Sequence, residues 1–207
     1  MRTEQAFVGA VVADSLPFST GGSERQASGM QAEGVDCFVG YLGAMNQKRL
    51  AMILGAGMAF MPVTFGGEYE DGPLDEIAQL KALGIPPGAS VWLDMEGLKA
   101  FKTNPAKLIG MIDAWAAAIL AAGWMPCLYV GVPQPLTSDE LWKLKVQRYW
   151  KGQGSVRDRN NALVEPTGCG WCMTQMFPSV TRGNVLIDAN MVGQDYRKRT
   201  PAWCRRS

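Results

Sequence analysis

A chain of 207 residues, 47% hydrophobic and 19% charged, can bury one sizeable core and is neither a disordered nor a fibrous sequence. Its formal net charge of +1 gives no overall field for holding nucleic acid. The chain has no histidine, which excludes Ser-His-Asp and Cys-His sites and the H-E-x-x-H zinc motif; catalysis, if present, has to rest on carboxylates.

Residues Met1 to Phe7 lack a basic stretch followed by a long apolar one, so the expectation is synthesis in the cytoplasm without a Sec signal. Membrane insertion is not expected either: the apolar stretch from Leu50 to Phe65 is broken by Gly55, Gly57 and Pro62, and that from Ile112 to Tyr129 by Gly123 and Pro126. Apolar runs of strand length fall at 7–14, 35–42, 58–65, 90–96, 126–132, 146–150, 171–176 and 185–190, with helical patterns between the earlier ones.

Those helices carry start and stop signals. Residues 20–33 form the weakest pattern, interrupted by Gly29; Asn46 can cap a segment bearing Leu50, Ile53 and Leu54; Pro73 occupies a first-turn position before Leu74, Ile77 and Leu80. Asn104-Pro105 opens the longest helix, with Leu108, Ile112, Trp115 and Ile119 on one face and Gly123 at its end. Thr137-Ser138-Asp139-Glu140 is a capping box before Leu141 and Leu144. After the sixth strand the helices stop, because 155–168 is polar and turn-rich and 177–184 is too short for a crossover helix.

The pattern predicts a single α/β domain over residues 1–207, an irregular TIM-type barrel of five β/α units followed by three strands. Arg197, Lys198, Arg199, Arg205 and Arg206 make 197–207 a basic, solvated C-terminal tail. A monomer is expected. Five cysteines, an odd number without a signal, argue against a disulfide framework. Cys169-Gly170-Trp171-Cys172 has the C-x-x-C spacing but no second pair, and reads as structural; Cys37 and Cys127 lie in apolar runs as small core residues.

Asp94-Met95-Glu96 closes the run at 90–96. If the strand continues through it, both carboxylates share a face, with Cα atoms about 7 Å apart, while Val91, Leu93 and Met95 face the other way. Two close carboxyls, one holding a proton and one ionised, are the equipment of glycosidic bond cleavage. Barrel enzymes place chemistry at strand ends, and other strand ends carry polar groups in the inward phase. Asp14 follows Ala10 and Val12, and Asp188 follows Val185-Leu186-Ile187 on a strand that neighbours the first once a barrel closes. Gln175 is in phase with Trp171 and Met173, and Tyr41 and Tyr129 lie near the ends of the second and fifth strands. Stability alone gives no reason to gather four mutually repelling carboxylates at one mouth.

With Ala13-Asp14-Ser15, Asp94-Met95-Glu96, Gln175 and Ile187-Asp188-Ala189-Asn190 in these places, the chain resembles the family 25 glycoside hydrolases, the Chalaropsis-type lysozymes. It is similar also to their glycoside hydrolase-like relatives of unknown function, through 34–43, 56–63 and the 82–88 segment Ala-Leu-Gly-Ile-Pro-Pro-Gly. The resemblance spans about residues 8–193. It departs from the pattern where Trp171 and Gln175 are separated by Cys172-Met173-Thr174, and where Val39-Gly40 rather than an arginine precedes Tyr41-Leu42.

The resemblance implies hydrolysis of the β-1,4 bond between N-acetylmuramic acid and N-acetylglucosamine. Glu96 would be the general acid, Asp94 would orient the acetamido group or stabilise charge, and Asp14 and Asp188 would support the site. Tyr41, Tyr129, Gln175, Trp171 and Asn190 would bind substrate. The partner would be peptidoglycan or another N-acetylated polysaccharide, with no cofactor and no metal, and the protein would act as a phage-type lysin once released to the wall. A different class of reading is a non-catalytic carbohydrate-binding or virion-associated module on the same barrel. Asp14, Asp94 and Asp188, at least partly ionised near neutrality, would raise the pKa of Glu96.

Overall fold

The computed structural model describes residues 1–65, 74–97, 104–132 and 134–207. Strands β2 (Val11–Asp14), β3 (Cys37–Tyr41), β4 (Ala59–Phe65), β5 (Ser90–Asp94), β6 (Met125–Val130), β7 (Arg148–Lys151) and β8 (Met173–Gln175) pair in parallel, each with the next. Strand β10 (Val185–Val192) runs antiparallel between β8 and β2 and closes a mixed eight-stranded barrel. Helices lie in the connections: α1 (Leu16–Gly21) and α2 (Glu24–Ala32) before β3, α3 (Gln47–Gly55) before β4, α4 (Leu74–Leu83) before β5, α5 (Pro105–Ala121) before β6 and α6 (Ser138–Lys143) before β7. None of the described helices is long and apolar enough to cross a membrane.

Side-chain alternation on the strands produces two apolar layers. Val12, Cys37, Val39, Met61, Val63, Trp92, Cys127, Trp150 and Met173 fill the barrel interior. Phe38, Phe60, Val91, Leu93, Leu128 and Val130 point outward against Leu50, Ile53, Leu80, Ile112, Trp115 and Ile119 of the helices. Each such fully buried side chain contributes about 1.5–3 kcal/mol. The caps read from sequence are present where they are described: the Asn46 side chain accepts from the Arg49 N–H, that of Asn104 from the Lys107 N–H, and Thr137 and Glu140 form a capping box. The first-turn position of Pro73 lies outside the described residues. All five cysteines are free and buried; Cys169 sits in the outer layer and Cys172 in the interior, on opposite sides of the barrel wall.

Several elements differ from the sequence expectation. Phe7 and Val8 are exposed in a turn at Gly9, whose φ is +86°, so the first barrel strand begins only at Val11. The weak 20–33 pattern is two helices, with a break at Gly22 and a new start at Ser23, whose hydroxyl accepts from the Gln26 N–H within a capping box. The basic C-terminus is not a solvated tail. Strand β11 (Ala202–Arg205) pairs antiparallel with β1 (Arg2–Gln5) and reaches β4 through Cys204 opposite Phe60. Trp203 is fully buried in the barrel interior, Arg205 pairs with Glu4 at 2.7 Å and Arg199 with Asp195 at 2.7 Å. Residues 177–184 hold a short strand, β9 (Val180–Arg182), hairpinned onto β10 through Gly183 and Asn184, both with positive φ. This is the backbone a two-residue hairpin requires, and it explains why no crossover helix is needed there.

That hairpin also explains Gly29. A Cβ on Gly29 would lie 2.8 Å from the Cα of Gly183, so α2 packs on the hairpin backbone to backbone. Gly29→Ala is therefore expected to lower stability by about 1–3 kcal/mol despite the better helix propensity of alanine. Gly110, within α5, has nothing within 4 Å of its virtual Cβ, and Gly110→Ala should instead raise stability by roughly 0.5–1 kcal/mol. Thermal melts of the two variants should move in opposite directions.

Candidate carboxylate site

Asp14 ends β2, Asp94 ends β5, and the register sets Phe65, Asp94 and Tyr129 side by side on β4, β5 and β6. Asp188 enters from the antiparallel strand, directly opposite Asp14, so its position at the mouth comes from the first half of β10 rather than from a strand end. Strand β5 stops at Asp94, and Met95–Gly97 form a 3-10 turn. The Glu96 N–H donates to Asp94 Oδ1 at 3.0 Å. The two carboxylates are thus brought together by a turn, not by strand alternation: the short aspartate side chain captures the N–H two residues on and competes with the ladder. Met95, fully buried in the outer layer, anchors the turn from behind.

The resulting cleft, ≈ 110 Å³, is lined by Asp14, Asp94, Glu96 and Asp188 together with Tyr41, Val63, Tyr129, Trp150 and Gln175. Among the residues nominated from sequence, two stand elsewhere. Asn190 is buried behind the cleft, where its side-chain N–H donates to Asp14 Oδ2 at 2.8 Å and to the carbonyl of Val12 at 3.1 Å. Its side-chain oxygen accepts from Trp150 Nε1 at 2.8 Å. Asn190 therefore holds Asp14 in place and is out of reach of a ligand. Trp171 does not line the cleft: β8 begins only at Met173, alternation does not extend back to residue 171, and the indole packs on the outer layer beneath Lys151, whose Nζ is 5.9 Å from the ring centroid.

Besides Val63, four further residues that were not nominated from sequence shape the cleft. Trp150 forms one wall and stacks edge-on with Tyr129 at 4.5 Å. The Ser179 hydroxyl donates to Asp188 Oδ1. Gly131 follows β6, and a Cβ there would lie 1.6 Å from Glu96 Oε1; one on Gly152, after β7, would lie 2.8 Å from the Tyr129 hydroxyl. Both glycines follow strand ends at the mouth, which was the one signal available for them. The Tyr129 hydroxyl donates to Gln175 Oε1 at 2.9 Å.

Burial dominates the electrostatics. It raises Asp94 to about 7; the Glu96 N–H pulls it down in part, while the charge of Glu96 pushes it up. Asp14 is also raised to about 7, by burial first, against the Asn190 N–H and with the charges of Asp188 and Asp94 adding to the rise. The tyrosines are raised too, by burial and the surrounding carboxylates, so their hydroxyls stay protonated as donors. At these values Asp14 and Asp94 are partly ionised near neutrality, and at mildly acidic pH both hold protons. Among the described residues no group of three or more His, Cys, Asp or Glu is arranged to hold a metal ion.

No family model matches the chain, and no curated protein matches it. Among solved structures it is similar to an uncharacterized protein of B. stearothermophilus, with a TM-score of 0.64 and 13% identity over 89% of this chain and 96% of that one. It is similar also to the Tat-secreted protein Rv2525c of Mycobacterium tuberculosis in complex with HEPES, with a TM-score of 0.59 and 10% identity over 94% and 99% of the two chains. At such identities the likeness is one of fold.

Proposed function

We propose that this protein is a glycoside hydrolase of N-acetylmuramidase type that cleaves peptidoglycan glycan strands, on an irregular TIM-type barrel read as five β/α units and three further strands. The observation that carries the reading is the gathering of Asp14, Asp94, Glu96 and Asp188 around one cleft with two tyrosine hydroxyls and an amide. Glu96, at the turn, gives its proton to the glycosidic oxygen. Asp94, held by the Glu96 N–H, orients the acetamido group or, in its ionised form, stabilises the positive charge that develops on the sugar. Asp14 and Asp188, tied by Asn190 and Ser179, support the site. The chain would meet its substrate at the wall when released or delivered there. The HEPES bound by the mycobacterial protein is compatible with a polar organic ligand on a barrel of this kind.

Loss of turbidity of a purified peptidoglycan suspension tests the proposal: the protein clears it, and absence of clearing at every pH from 4 to 8 would overturn the reading. EDTA is expected to leave both clearing and melting temperature unchanged. Gly131→Ala offers a separate check. The added methyl would drive the Glu96 carboxylate aside, and a displacement of about 1 Å costs up to ~100-fold in rate. The closest obstruction is the end of the flexible Glu96 side chain, while the Tyr129 ring, 2.9 Å from the added Cβ, has to give by only a few tenths of an ångström, so the melting temperature should fall much less than turnover. A large loss of turnover with a small loss of stability is the expected pair of results.

A further inference from the structure

A second cavity, ≈ 580 Å³, opens beside the carboxylate cleft and shares Tyr41 with it. Its wall is mostly apolar, with Leu16 and Phe65 both well exposed, and Phe65 stands next to Asp94 in the β4–β5 register. One cation lines it, Arg49. The guanidinium is fixed by donating from Nη1 to the carbonyl of Ala44 and from Nη2 to that of Thr20, both of which also line the cavity. No carboxylate lies within ion-pair distance of Arg49 among the described residues. Two carbonyls leave several of its five N–H donors unused, and a fixed, unneutralised guanidinium matches a carboxylate.

We infer that this cavity is a subsite for a carboxylate-bearing, partly apolar substituent carried by the glycan, such as a short peptide linked to the sugar, with Arg49 binding the carboxylate and Leu16 and Phe65 covering the aliphatic part. The inference rests on the hydrolase reading for the identity of the glycan. The division of charge argues for it. A cleft walled by four carboxyl groups disfavours an anionic substituent, and does so more as Asp14 and Asp94 ionise near neutrality, whereas the adjoining cavity offers a pinned cation and apolar surface. A substrate with a neutral sugar backbone and an acidic side group is divided between them in the same way.

The test is equilibrium binding, by calorimetry or ligand-observed NMR, of muramyl dipeptide, with N,N′-diacetylchitobiose as the neutral probe. Muramyl dipeptide should bind, and Arg49→Met should weaken it at least tenfold while leaving chitobiose binding unchanged. Because Arg49 also ties α3 to neighbouring carbonyls, Thr20→Glu provides a second variant: Thr20 is exposed on α1, and a glutamate there would neutralise Arg49 and repel the ligand. It should weaken muramyl dipeptide by a similar factor with the melting temperature kept. Equal affinity in the wild type and in folded variants, or no binding to the wild type, overturns the subsite. A protein that clears peptidoglycan but shows this indifference loses only the subsite. One that binds muramyl dipeptide through Arg49 but never clears peptidoglycan keeps the subsite and loses the hydrolase reading.

Discussion

Glu96→Gln is expected to lower peptidoglycan turnover by about 10²–10⁴-fold, the usual contribution of a general acid, and to leave stability within about 0.5 kcal/mol. The change is nearly isosteric at a half-buried position, and the Glu96 N–H that binds Asp94 belongs to the backbone and is retained. Glutamine can still occupy the space against Gly131 but has no proton to give to a leaving oxygen. Steady-state turnover and thermal melts of the same preparation separate the two effects. Wild-type turnover in the variant would remove Glu96 from the role of proton donor and direct attention to Asp94 and Asp14, both raised to about 7 and so able to hold a proton at mildly acidic pH.

The second large effect is on stability against pH. Asp14 and Asp94 release protons near 3.8 in the unfolded chain and near 7 in the folded one. Between these values the native state binds more protons, so stability falls as pH rises: their contribution is fully present below about 3.8 and lost by passage through about 7. A shift of this size corresponds to a ceiling of roughly 4 kcal/mol for one isolated group. Coupling within the cleft and partial solvation bring the pair together to about 2–4 kcal/mol. Glu76 adds to the same slope. It is fully buried among α4, β4 and α5, accepts from the Thr64 hydroxyl and from Trp115 Nε1 at 2.7 Å, and is raised to about 7 by burial. Glu140, lowered to about 2 chiefly by its hydrogen bond from Arg159, acts in the opposite sense, but only as pH falls below about 4.5.

Melting temperature should accordingly decline from pH 4 to pH 8. Asp94→Asn should flatten the decline and be more stable than the wild type at pH 8, since asparagine still accepts the Glu96 N–H. Parallel profiles for the two proteins would show that Asp94 is not a buried, proton-holding group. Asp188→Asn removes a charge that pushes Asp14 up, so the group titrating as Asp14 should move to lower pH.

The barrel was legible because its signals are local and strong. Runs such as Cys37–Tyr41 and Ser90–Asp94 are short, apolar and bounded by turns, and the helices between them carry Asn46, Asn104 and Thr137 at their starts. The elements missed depend on distant partners. Ala202–Arg205 has four residues next to charged ones and is a strand only because β1 and β4 offer edges and the barrel floor accepts Trp203. The orientation of β10 was hidden because an alternating pattern reads the same in either direction. At the site, Asp14 and Asp94 were legible as carboxylates at strand ends, whereas Asp188 stands inside the longer β10 and the Asp94–Glu96 pair owes its geometry to a turn that alternation does not describe. Trp171 was assigned inward by extending the β8 alternation past the start of the strand. The burial that raises Asp14 and Asp94 depends on the closed barrel, and no local pattern could report it.

If this cleft adds water across a glycosidic bond of peptidoglycan, mass analysis of soluble fragments released from purified peptidoglycan in ¹⁸O-labelled water should show it. The expected fragments end in reducing N-acetylmuramic acid, are formed by the wild type and not by Glu96→Gln, and each carry one ¹⁸O at the new glycan end. Label in a peptide carboxylate instead, or no fragments released by the folded wild type, would rule out a glycosidase here.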